Sequence, residues 1–221
     1  MTLLGIDSST AAASACVLRA DGEAFELAPA PERLIQRPAH AGELMPAVAE
    51  AMERAGVGWG DLGAIAVGVG PGAFTGLRIG VATARALASA NGLPLRPVSS
   101  LAALAAGIDA PLRLALIDAK RGELFAALFG DEGLLWPRFV AAPEGVAERA
   151  RKAGLTPFAA GDGSVRFRRV LEEGGIQVAP DDSRAHVVSA LHVCRLAAEV
   201  RDEAPQAVLP DYLRAPDAKP Q

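Results

Sequence analysis

Two aspartates stand where a carboxylate could do chemistry: Asp7, in Ile6-Asp7-Ser8, and Asp118, in Ile117-Asp118-Ala119, each closing a hydrophobic run. An acid so placed either holds a metal-bound ligand or caps its own turn by accepting nearby backbone N–H groups, as Asp and Ser do routinely. The densest glycine stretch is Gly70 to Gly80, GPGAFTGLRIG, whose distinctive residues are Gly70, Pro71, Gly72, Phe74, Thr75, Gly76 and Arg78. Glycines between a strand and a helix can aim N–H groups at an anion. No GK[ST] follows, so the stretch is not a P-loop. The packing alternative is preferred: Gly76, Gly80, Ala84 and Ala88 recur at helical spacing and make a smooth face for close approach of another helix, bordered by Arg78 and Arg85.

Metal and nucleophile chemistry finds few candidates. His40 has Glu43 near it in sequence but no second histidine, so it reads as a local cap or pair at the start of a helix. His186 and His192 lie far along the chain, and Cys16 and Cys194 sit alone on apolar segments, as buried reduced thiols do. No Ser/His/Asp or Cys/His set assembles, so no catalytic residue, metal site or cofactor is assigned.

The elements that must position these residues come in two similar series. Thr2 to Ile6, Ala13 to Leu18 and Glu23 to Leu27 read as strands, the last pair joined at Asp21-Gly22. A helix follows from His40 to Ala55, with Leu44, Val48, Ala51 and Met52 at helical spacing and Gly56 as its stop. Then come a strand at Ala64 to Val69, an Ala-rich helix reaching Asn91-Gly92 and a strand at Leu95 to Val98. The second series has strands at Leu112 to Ile117, Leu124 to Phe129 and Leu134 to Val140, a helix at Glu144 to Lys152, a strand at Thr156 to Ala160 and a helix at Val165 to Glu173. The expected organisation is one lobe over 1–98, a second over 99–185, a helix over 186–203 packing back on the body, and an extended tail over 204–221.

Half of the 221 residues are apolar, enough for a real core, and the net charge of −4 provides no footprint for nucleic acid. The start lacks the pattern of a signal peptide and no window has the length of a membrane span, so the expectation is a cytoplasmic protein with no membrane contact.

Duplicated α/β lobes with an acid after the first strand resemble the actin, Hsp70 and sugar-kinase (ASKHA) fold, each lobe ordered βββαβα. In that fold paired aspartates hold a metal-nucleotide, which would make Asp7, Ser9, Thr10 and Asp118 a vestigial nucleotide cleft. Ser9-Thr10 replaces the glycine expected in a phosphate hairpin, and no Gly-rich adenosine segment stands near Gly174-Gly175. GPGAFTGLRIG, together with LLGIDSST, VSSLAAL, IDAKRGELF, Gly161-Asp162-Gly163 and Pro210-Asp211-Tyr212-Leu213-Arg214, closely resembles the TsaB (YeaZ) family over nearly the whole chain.

That resemblance implies a non-catalytic subunit in the synthesis of threonylcarbamoyladenosine beside the tRNA anticodon. TsaC makes the activated threonylcarbamoyl group, TsaD transfers it, TsaB pairs with TsaD, and the ATPase TsaE completes the assembly. It further implies a homodimer when TsaD is absent, and contact with tRNA only through the complex. TsaD-like proteins carry a His-x-x-x-His metal pair where this chain has Ser100 and Leu104, neither a good ligand. The helices His40 to Ala55 and Thr75 to Asn91 are the implied docking elements. Leu44, Val48 and Met52 would be the knobs, and Gly76, Gly80 and Ala84 their seat, unless both stripes form the lobe interior. The runner-up is an ATP-dependent sugar-kinase-like phosphotransferase using Asp7 and Asp118 with magnesium, and a third reading is a metallopeptidase.

Overall fold

The structure, a computed structural model, describes residues 1–38 and 40–213, with His40 and Ala41 described by their backbone alone. The first lobe runs β1 (Thr2–Asp7), β2 (Ser14–Leu18), β3 (Ala24–Leu27), α1 (His40–Ala55), β4 (Leu62–Gly70), α2 (Phe74–Asn91), β5 (Leu95–Ser99) and α3 (Ser100–Ala106). The second runs β6 (Arg113–Lys120), β7 (Glu123–Gly130), β8 (Gly133–Ala141), α4 (Pro143–Lys152), β9 (Phe158–Ala160), α5 (Asp162–Arg166), α6 (Arg168–Glu173), β10 (Gln177–Val178) and α7 (Ala190–Ala197). The sheets are ordered β3-β2-β1-β4-β5 and β8-β7-β6-β9-β10, one plan used twice. In each, the first three strands are antiparallel and the later ones join in parallel. This is the two-lobed actin/Hsp70/sugar-kinase-like α/β fold.

Strand alternation decides which layer each side chain enters. From β1, Leu4 and Ile6 enter the core beneath α1 and α2, with Ile65 and Val67 of β4. Leu3, Ala64 and Ala66 point the other way, into a central core shared with Leu101 and Leu104 of α3, Val193 and Cys194 of α7, and Ala115, Ile117 and Phe125 of the second sheet. A third core, Leu114, Leu116, Leu124 and Leu128, lies beneath α4 and α6. Each fully buried branched side chain contributes about 1.5–3 kcal/mol. Gly5 shows how tightly the middle layer is built: a Cβ there would lie 2.4 Å from Cys194 Sγ and 2.6 Å from the Ala190 carbonyl oxygen.

Several boundaries differ from the sequence reading. The helix expected over 165–173 is two, broken at Phe167, whose backbone (φ −112°, ψ 22°) is not helical. The last helix is shorter than 186–203, because Val187 and Val188 are buried in an extended stretch and Ser189 caps α7 by accepting the His192 N–H. Strand β10 and helix α3 carry no prediction. Beyond α7 the chain lies along the first lobe: Glu203 exchanges two backbone bonds with Leu95, and Val208 is buried beneath α2.

Candidate functional site

At the end of β1 the Asp7 carboxylate is 1 % exposed. Its Oδ1 accepts the Ser9 N–H (2.8 Å) and hydroxyl (2.7 Å), and its Oδ2 accepts the Ser100 hydroxyl (2.7 Å). Ser100 in turn accepts the Gly70 N–H at 3.1 Å. Burial pushes the Asp7 carboxyl above its ordinary range, and the bonds from Ser9 and Ser100 offset part of that rise. Gly68 has no alternative here, since a Cβ would sit 1.8 Å from Asp7 Oδ2. The turn-capping reading therefore describes Asp7, and the acid is closed to a metal-nucleotide while these bonds stand. Ser9 and Thr10 are buried with it, Thr10 donating to the Ala12 carbonyl at 3.3 Å.

Asp118 occupies the equivalent strand end in the second lobe and is ion-paired. Its Oδ2 lies 2.8 Å from Lys120 Nζ and 2.7 Å from Arg166 Nη1, and its Oδ1 accepts the Lys120 N–H. Burial opposes ionisation, but the bonds and charge of Lys120 with the bond from Arg166 outweigh it and hold the carboxyl below its ordinary range. The Asp118 N–H is donated to Asp162 Oδ1 at 3.0 Å. Asp162 is pushed up to about 6, first by burial and then by the neighbouring Asp118 charge. Ser100, Asp162 and Arg166 have no chemical role legible in the sequence, since the chain folds them onto the two aspartates from far along its length.

The glycine segment is a backbone clasp. Gly70 has φ +112° and its bond to Pro71 is cis. The Ala73 N–H is donated to the Ser9 carbonyl at 2.7 Å, and the Ser8 hydroxyl to the Gly76 carbonyl at 2.9 Å. A Cβ at Gly72 would lie 2.4 Å from the Ser9 oxygen, and one at Gly80 would lie 2.2 Å from Ser8 Oγ. With the Gly70 and Ala73 N–H groups given to Ser100 and Ser9, an anion cradle lacks two of its donors. Phe74, Thr75 and Arg78 are exposed; Arg78 stacks over the Phe74 ring (5.3 Å), and Tyr212 packs on Phe74 at 5.1 Å.

The expected docking residues need correction. Leu44, Val48 and Met52 point into the core between α1 and the first sheet, and Ala84 lies in that core too. Gly76 and Gly80 face the turn after β1. The apolar stripe of each helix is consumed by its own lobe, because a single sheet face needs both helices to cover it. What the helices present outward is Met45, Ala49, Glu50 and Glu53 on α1, and Thr75, Arg78, Ala82 and Ala86 on α2.

Leu104 is buried, within reach of a Cβ at Gly161, and among the described residues no three His, Cys, Asp or Glu could hold a metal ion. His186 is buried as a structural group, with Nδ1 accepting the Gly161 N–H (3.1 Å) and Nε2 against the Pro180 oxygen (2.9 Å). Cys16 and Cys194 are buried and free. The His40 side chain and Arg214 lie outside the described residues.

Comparison with known proteins gives consistent relatives. Residues 31–157 match the family model "TsaD: tRNA N6-adenosine threonylcarbamoyltransferase". The chain is 31% identical to the tRNA threonylcarbamoyladenosine biosynthesis protein TsaB of Escherichia coli K12, covering 97% of this chain and 95% of that protein. It is 40% identical over 131 residues to the uncharacterized protein ML0378 of Mycobacterium leprae, of whose length it covers 35%. The solved structure of YeaZ from Pseudomonas aeruginosa superposes with a TM-score of 0.76 at 31% identity, covering 96% of this chain and 99% of that one.

Proposed function

Because the chain belongs to the TsaB (YeaZ) family, we propose that it is a non-catalytic partner of a TsaD-like subunit in the formation of threonylcarbamoyladenosine on tRNA. The observation that carries this reading is the match to the E. coli TsaB protein along nearly the full length of both chains. The non-catalytic part is supported by the state of the cleft, where Asp7 accepts three hydrogen bonds and Asp118 is held by two cations. A phosphotransferase would need both acids to give up these partners, and no observation favours it.

Docking uses the outward faces of α1 and α2. Ala49, Ala82 and Ala86 are small enough to let a second pair of helices approach closely, while Glu50 and Glu53 on one helix and Arg78 and Arg85 on the other fix register through charge. The match of residues 31–157 to the TsaD family model supports a partner built on the same plan, meeting like helices with like. The same face joins two copies of this chain when the partner is absent. A TsaE-like ATPase completes the assembly, and tRNA is reached through the complex in the cytoplasm. Among the described residues no helix is long and apolar enough to cross a membrane. Docking stabilises the transfer-competent arrangement of the catalytic subunit by as much as this chain prefers that arrangement over the alternative.

The test is reconstitution. Purified TsaC-, TsaD- and TsaE-like proteins from the same organism are supplied with tRNA, threonine, bicarbonate and ATP, with and without this chain, and the modified nucleoside is counted by mass spectrometry. Product at background without the chain is expected; equal yield in its absence would sink the proposal.

A further inference from the structure

A cavity of about 240 Å³ lies away from both aspartates, where the end of β3, the turn after α3 and the segment leading into α7 meet. Its ionisable lining is Arg184, Arg195, His192 and Glu26. Glu26 is already committed: its Oε1 accepts the Ser189 hydroxyl (2.6 Å) and the Leu191 N–H (3.0 Å), capping α7. Neither guanidinium has a hydrogen-bonded or ion-paired partner among the described residues, although other arginines of the second lobe, such as Arg138, Arg166 and Arg168, are paired. The half-buried His192 ring responds to this environment, since burial and then the Arg195 charge push its pKa down. The other walls, Ala28, Pro29 and Val187, are apolar and make a charge–anion contact stronger than it would be in bulk water.

We propose that this cavity is a binding site for a small oxyanion, the phosphoryl group of free phosphate or of a larger phosphorylated molecule, held by Arg184 and Arg195 with His192 in the same lining. A guanidinium presents paired N–H donors that match tetrahedral oxyanions, and two of them without an acid of their own leave the lining net positive. The volume admits one phosphate with a few waters, so a larger ligand would enter by its phosphoryl end alone. The site is independent of the helix face proposed for docking.

The full-length protein, isotopically labelled, is titrated with inorganic phosphate against chloride at constant ionic strength, and the amides of Gly107 and of Ser189 to His192 are followed by NMR. Saturable shifts confined to these residues are expected. Arg184→Gln and Arg195→Gln, both at exposed positions, should each weaken binding about tenfold by removing a charge-assisted donor, while Arg151→Gln on α4 should leave it unchanged. A 5′-phosphorylated oligoribonucleotide is compared with its dephosphorylated form as a second arm: preference for the phosphorylated form places the anion on a larger molecule, and no preference assigns the site to free phosphate. The proposal is overturned by the lack of any saturable shift at 20-fold excess over about 1 mM phosphate, or by equal affinity in the double variant.

Discussion

Asp7 and Asp118 occupy equivalent strand ends yet are satisfied in different ways, one by hydroxyl and amide donors and the other by two cations. Their positions were legible because each closes a hydrophobic run; their partners were not, since Ser100 lies 93 residues from Asp7 and Asp162 lies 44 from Asp118. Ser100→Ala removes one donor from Asp7 and the acceptor of the Gly70 N–H, and is expected to cost about 1–3 kcal/mol in urea unfolding. An unchanged midpoint would contradict that role. The pH dependence has two signs in one cluster. Asp162 rises from 3.8 to about 6 on folding, so the stability linked to its proton is fully present below pH 3.8 and is lost as pH climbs through 6, roughly 3 kcal/mol in all. Asp118 is depressed, so its contribution is present above the ordinary carboxylate range and is lost on acidification. Asp162→Asn should therefore gain on the wild type by roughly 2–3 kcal/mol between pH 4 and 7; parallel profiles for the two proteins would remove Asp162 from the account.

Among the elements, α1 and α2 are legible from periodicity, each with an apolar stripe that is buried in the structure. Periodicity does not say whether a stripe faces its own sheet or another molecule, and here the lobe's sheet takes both. Helix α3 is not legible for the opposite reason: Ser100, Leu101, Ala103, Leu104 and Ala105 are all buried, so SLAALAA has no polar face to set a period. Glycine substitution separates propensity from packing. Gly42→Ala in α1 meets no atom within 4 Å and should stabilise by about 0.5–1 kcal/mol. Gly80→Ala enjoys the same propensity but drives a Cβ to 2.2 Å from Ser8 Oγ, and overpacking of about 1–3 kcal/mol should reverse the sign. Chemical denaturation of the two variants decides it, and a stabilised Gly80→Ala would show that Ser8 moves aside at little cost.

For the whole molecule, the proposed docking face predicts that Ala82→Arg or Ala86→Arg weakens association with the TsaD-like subunit more than tenfold on size-exclusion or calorimetric titration, with the unfolding midpoint nearly unchanged. Val48→Ala should do the reverse, costing about 1–3 kcal/mol of stability with modest effect on association; equal loss of binding from both would return the docking face to the core stripe. The middle layer carries a different implication. Helix α7 belongs in sequence to the second series, yet it packs on β1, β2, β4 and β5 of the first, while α3 of the first series reaches β6 and β7. The second half thus gives its final helix to the first sheet, while α3 bridges its own β4 and β5 and the second sheet, so the two halves are tied by one crossed arm and one shared one. A gene split between Gly107 and Leu112 should yield two fragments that aggregate when made separately and recover the fold when made together.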